Sequence, residues 1–182
     1  NHALQFRKSF IANHPHKIEV AKQILAARPQ AKAITFNGSI AQCQAYGTGV
    51  VVHSNNTKKQ NEELIKQFSE STGGAVIHSA KMLDEGFNVE AADLAIITGF
   101  NSSKHTATQR KGRVSRAYEG KIAEVYWLVL KNTVEDKWWQ NANEGVEYYE
   151  LNEEELQQVL SNPQSIQKTL KVQSKVRHNF SA

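Results

Sequence analysis

The sequence predicts an α/β fold: a doubly wound, mainly parallel sheet with helices on both faces. Three observations predict it. Short apolar runs rich in β-branched residues alternate with segments of helical periodicity. The runs are nearly continuous in apolar character, as strands covered on both faces require. The segments between them open on residues that start helices.

Taken in order, Pro15 stands where a first helical turn tolerates proline, ahead of a helix over His16–Ala27. The first strand is Lys32–Phe36, and Ser39 with Gln42 fits a capping box at the next helix. Gly49–His53 is the second strand. Thr57 with Gln60 fits another capping box, and Leu64, Ile65 and Phe68 then fall on one helical face. Further strands are predicted at Gly74–Ser79, Asp93–Thr98 and Ile122–Leu130. Thr133 with Asp136 opens a last helix of the domain, where an acid suits the helix dipole. In it Trp138 and Trp139 cannot share a face, so at least one is expected on the sheet. The domain is expected to span 1–145. The remainder, 146–182, holds an acidic helix from Asn152 and a polar, basic tail.

Composition narrows the function classes. A single cysteine, Cys43, excludes an internal disulfide framework and is expected to act as a small buried hydrophobe. No apolar run approaches a membrane span and no signal peptide is visible, so no membrane partner is expected. The chain starts at Asn1, not Met, and is read as a fragment or processed product. Seven histidines include His14 and His16, but no acid or cysteine joins them at ligand spacing, so no metal site is expected. The net charge of +4 is modest, but its distribution is uneven. Lys104 to Lys121 holds six basic residues against Glu119 alone, whereas Thr133 to Leu160 holds eight acids against Lys137. A concentrated positive patch suits phosphate or nucleic acid bound at a defined place.

Within that patch lies Gln109-Arg110-Lys111-Gly112-Arg113-Val114-Ser115-Arg116. If the segment is helical, Arg113 and Arg116 share a face. Planar, permanently charged guanidinium groups in a fixed array suit phosphate oxygens. A solvated basic helix face is the other reading, and spacing alone does not separate the two.

Read in order, the segments after successive strands resemble the second RecA-like domain of superfamily 2 helicases, over roughly Lys17 to Trp139. Ala33-Ile34-Thr35-Phe36-Asn37-Gly38-Ser39 resembles motif IV. His53-Ser54 and the helix from Thr57 resemble the next strand–loop–helix unit. Ser79-Ala80-Lys81-Met82-Leu83-Asp84-Glu85-Gly86-Phe87-Asn88-Val89 is similar to motif V, and Gln109 to Arg116 to motif VI. The E-G-F-N and Q-R-x-G-R-V-x-R runs resemble XPB-type repair helicases, their phage relatives and restriction-type translocases more than DEAD-box proteins.

The resemblance implies roles. Arg113 and Arg116 would be arginine fingers on the γ-phosphate of ATP, with Gln109 lining the same cleft. Gly86, Asn88, Asp84 and Glu85 would serve the nucleotide side and couple it to strand grip, Asn88 standing where many relatives carry Asp. A local turn or helix-end role is the alternative for Asn88. Ser39, Ser54, Thr57, Ser79 and Lys81 would meet nucleic-acid phosphates, with a plain surface role as the alternative for each. Phe36 and Phe87 are read as packing residues.

The phosphate loop G-x-x-x-x-G-K-[ST] is missing from the sequence. Gly47-Thr48-Gly49 lacks the lysine, and Gly120-Lys121 is followed by Ile122. ATP and Mg²⁺ are therefore expected on an N-terminal RecA-like domain of the same enzyme, and this chain alone is expected not to hydrolyse ATP. The expected nucleic acid is DNA, with RNA the alternative. The expected location is the cytoplasm, the nucleoid or a phage-infected cell. The rival reading is a non-catalytic nucleic-acid-binding or scaffolding module that keeps the fold.

Overall fold

A computed structural model describes residues 2–80, 92–99, 124–143, 147–162 and 171–172. Five strands, β1 (Ala33–Asn37), β2 (Val50–Val52), β3 (Val76–Ala80), β4 (Leu94–Ile97) and β5 (Glu124–Trp127), form one sheet in the order β2-β3-β1-β4-β5. All four pairings are parallel. The α/β fold, with helices on both faces, is therefore as the sequence predicts.

The side-chain period of two divides each central strand between two cores. Ile34 and Phe36 of β1, with Ala95 and Ile97 of β4, face one cluster. That cluster takes in Ile65 and Phe68 of α4 (Lys58–Glu70). Ala33, Leu94 and Ile96 face the other, with Ile18, Ala21 and Ile24 of α2 (Pro15–Ala27). Burying the strands on both faces accounts for their nearly unbroken apolar character.

The helix starts divide by how their polar side chains close. Pro15 opens α2 as expected. Thr57 and Gln60 form the full capping box of α4: Thr57 Oγ1 accepts from Gln60 N at 3.2 Å and Gln60 Oε1 accepts from Thr57 N at 2.7 Å. Ser39 caps α3 (Ile40–Ala45), but the expected box is not formed. The Gln42 carboxamide reaches one residue further back, accepting from Gly38 N at 2.8 Å and donating to Ala12 O at 3.0 Å. At α5 (Val134–Ala142), Thr133 accepts from Glu135 N, while Asp136 accepts from Asn132 N. Both Trp138 and Trp139 lie partly buried against the first core, one more than the face argument requires.

Two elements extend the domain. Helix α1 (His2–Ala12), which the sequence pattern did not announce, precedes α2. Helix α6 (Glu153–Ser161), the acidic helix expected beyond 145, sets Leu156 and Leu160 into the second core beside α2. Arg28 ties it down, donating to Leu160 O at 3.0 Å and to Glu124 Oε1 at 2.9 Å. A two-stranded antiparallel ribbon pairs β6 (Glu147–Tyr148) with β7 (Lys171–Val172). No helix among the described residues is long and apolar enough to cross a membrane.

Candidate functional site

In a doubly wound sheet, the crevice for a ligand opens where connections from adjacent strands leave in opposite directions. Here that point lies between β1, whose chain continues to β2, and β4, whose chain continues to β5. Gly38 and Gly99 meet at its mouth. A Cβ on Gly99 would sit 2.1 Å from Gly38 N, so only glycine lets the two turns approach this closely. Beyond Gly99 the chain enters the segment that carries Gln109, Arg113 and Arg116.

A buried hydrogen-bond chain holds the ends of β1 and β4 together. Asn37 Oδ1 accepts from Thr98 Oγ1 at 2.9 Å and from Tyr46 Oη at 3.2 Å. Its Nδ2 donates to Thr35 Oγ1 at 2.7 Å. The Thr35 hydroxyl in turn donates to His78 Nδ1 at 2.7 Å, and His78 Nε2 donates to Thr48 O at 2.8 Å. A carbonyl can only accept, so Nε2 carries a proton, and with the ring neutral near pH 7 its Nδ1 is the acceptor. Burial drives its pKa down to about 4, against the Thr48 contact. The ring stacks on Tyr46 with centroids 4.0 Å apart. Gly49, at φ +80°, keeps this region open, since a Cβ there would lie 2.7 Å from His78 Nε2.

A second buried link joins three elements at the same edge. Lys17 Nζ donates to Thr98 O at 2.9 Å and to Glu135 Oε1 at 2.5 Å, and Glu135 Oε2 accepts from Leu130 N at 3.0 Å. Burial pulls the Lys17 ammonium below its ordinary value and pushes the Glu135 carboxyl above its own, each against its partner's pull. Sequence reasoning missed Lys17, Glu135, Asn37 and His78. One signal was available: Thr35 and Asn37 put polar groups at alternate positions of an apolar strand, on the face opposite Ile34 and Phe36.

The expected site residues fall in different places. Ser39 caps α3 and is half-buried; its Oγ accepts from Gln42 N at 3.3 Å, which leaves its O–H to donate. Ser54 is exposed in the turn after β2. Thr57 is exposed at the start of α4, beside a shallow depression lined with Lys59, Gln60 and Glu63. Ser79 differs from expectation. It lies inside β3, registered between Phe36 and Val52, and is 1% exposed, so its hydroxyl is closed off from a surface-bound strand. Phe36 is a core residue. Cys43 is buried, and burial raises its thiol pKa to about 11, which leaves it protonated and inert. Among the described residues no group of His, Cys, Asp and Glu could hold a metal ion. Lys81, Asp84, Glu85, Gly86, Phe87, Asn88, Gln109, Arg113 and Arg116 lie outside the described residues.

Comparison with known proteins gives a consistent pattern. The profile of the helicase conserved C-terminal domain matches residues 16–118. The chain is 27% identical over 123 residues to fml2 of Schizosaccharomyces pombe, provisionally named an ATP-dependent DNA helicase, covering 68% of this chain and 14% of that protein. It is 29% identical over 126 residues to the DNA 3'-5' translocase XPB2 of Sulfurisphaera tokodaii, covering 68% of this chain and 28% of that protein. The chain thus spans under a third of the length of either relative. Among solved structures, it resembles the C-terminal part of the Fun30 ATPase domain, with a TM-score of 0.58 and 20% identity over 77% of this chain and 48% of the other. The C-terminal domain of the DEAD-box protein Dbp5 follows at 0.57 and 16% identity, over 70% of this chain and 76% of the other. At these identities the two structures speak for the fold alone.

Proposed function

The chain belongs to the helicase conserved C-terminal domain family, within superfamily 2, and on that premise we propose that it is the second motor domain of an ATP-dependent helicase or translocase. The observation that carries this reading is the coincidence of the family match with the open edge of the sheet. The motif IV turn, Gly38–Ser39, stands at the crevice between β1 and β4. The chain leaving β4 runs on into the segment with Gln109, Arg113 and Arg116.

In this reading Arg113 and Arg116 act as fingers on the γ-phosphate of ATP and Gln109 lines the same cleft. Asp84, Glu85, Gly86 and Asn88 serve the nucleotide side and couple it to strand grip. ATP and Mg²⁺ are held by an N-terminal RecA-like domain, because this sequence has no lysine-containing phosphate loop. Nucleic acid, with DNA favoured by the names of both sequence relatives, runs past Ser39, Ser54, Thr57 and Lys81. Its contacts are to phosphates, so binding is salt-sensitive and largely sequence-blind. Residues 146–182 form an extension, of which α6 is packed on α2.

The test at the level of this chain is its ATPase. The purified chain should show no turnover above background with or without DNA; turnover that copurifies with the chain and vanishes with Arg113→Ala would contradict the division of labour.

A further inference from the structure

Helix α1 carries the two most exposed large apolar side chains among the described residues, Phe6 at 74% and Phe10 at 61%. They lie four residues apart and so share one face. The same helix holds Arg7 and Lys8, both exposed, and no acid. Arg7 has no carboxylate partner among the described residues, and Lys8 lies over the Trp138 ring at 5.9 Å. Solvent-facing aromatics interleaved with basic residues, with no acid on the helix, are not what a helix lying on its own core presents.

The helix is fixed where this matters. Its last carbonyl, Ala12 O, accepts from Gln42 of α3, and the following Asn13 lies against Gly38. Its C-terminal end therefore abuts the motif IV turn, at the carboxyl edge of the sheet. Phe10 is held edge-on against His14, with ring centroids 5.8 Å apart, so its ring is oriented before any ligand arrives.

We propose that α1 is an additional binding site for single-stranded nucleic acid, in which Phe6 and Phe10 stack on bases and Arg7 meets the adjacent phosphate. A stacking platform beside a cation accepts any base, so it suits a protein that moves along a strand. The charge of α1 selects this polyanionic partner over a neutral protein face. The proposal rests on the nucleic-acid reading above, and it places a contact outside the helicase motifs.

The experiment is anisotropy of a fluorescein-labelled oligothymidylate with the 182-residue chain at low salt. Because both side chains are exposed, their variants keep the core, which circular dichroism checks. Phe6→Ala with Phe10→Ala should weaken binding about tenfold or more, since stacking contributes a few-fold to a hundredfold per base. The Phe6→Leu, Phe10→Leu pair should weaken it equally, and the Phe6→Tyr, Phe10→Tyr pair should restore it. Binding that survives either the Ala or the Leu pair overturns the proposal. So does an Ala pair that changes only self-association or docking of a separate motor domain, which would mark a protein-covered face. Ser54→Ala with Thr57→Ala separates the two readings. Loss there alone keeps the motif track and removes the α1 site, whereas loss at the phenylalanines alone keeps α1 and removes that track. No binding by the unchanged chain contradicts both.

Discussion

His78 shows how much of this site rests on one neutral side chain. Its ring donates to Thr48 O and accepts from Thr35, whose hydroxyl also receives Asn37 Nδ2. The unfolded chain binds a proton on this histidine below about 6.5, whereas the folded chain resists it until about 4. The unfolded state therefore binds more protons between those values, and stability rises with pH across that window. The expected outcome is full stability above pH 6.5 and a loss of about 3 kcal/mol as the pH falls towards 4, at about 1.4 kcal/mol per unit. Urea midpoints measured across this range check it, and His78→Gln should flatten the slope. His16 adds a slope of the opposite sign. Hydrogen bonds to Glu153 and then Glu19 raise its pKa, so its contribution is present below the unfolded value and is lost as pH rises through the raised one. Solvent screens that exposed pair, so it should be the lesser effect. At this scale the sequence was legible where partners are near neighbours. Ser39 and Thr57 cap helices three residues away. Asn37 with Thr98, 61 residues apart, and Lys17 with Glu135, 118 apart, meet only through the sheet, and no local spacing announces them.

Among the elements, α4 and α5 carry the clearest tests. The reciprocal Thr57–Gln60 bonds satisfy backbone donors at the start of α4 that have no partner within the helix. Thr57→Ala should cost about 1 kcal/mol in urea unfolding, and Thr57→Ser should recover most of it. If Thr57 also meets a phosphate, the Ala variant binds oligonucleotide more weakly in addition. The Lys17–Glu135 pair ties α2, the end of β4 and the start of α5 together at the open edge. Lys17→Met should cost about 3–5 kcal/mol by leaving Glu135 buried without a partner, while Lys17→Met with Glu135→Leu should cost less. Equal losses in the single and the double variant would show that the attraction between the two is not what matters. All five strands stand where apolar runs were read, since a strand covered on both faces is largely apolar along its length. The first helix escaped notice because its phenylalanines face solvent, so it lacks the buried stripe that periodicity detects.

At the scale of the whole molecule, the sheet order brings distant turns to one edge. Glycines at 38 and 99 let two of them touch, and the extension after 145 adds α6 to the core. The sequence revealed the α/β fold through alternation and the family through four motif runs in order. The partners that Asn37, His78, Lys17 and Glu135 find at the ends of the strands became visible only in three dimensions. In the proposed function this domain is one half of a catalytic site, whose arginines act on a nucleotide held by another domain. The measurement that tests this most directly is nucleic-acid-stimulated ATP hydrolysis by the complete enzyme carrying Arg113→Ala. The predicted result is a fall in kcat of about 10³-fold or more with ATP affinity little changed, as removal of an arginine finger produces. Near-normal stimulated turnover would contradict the account.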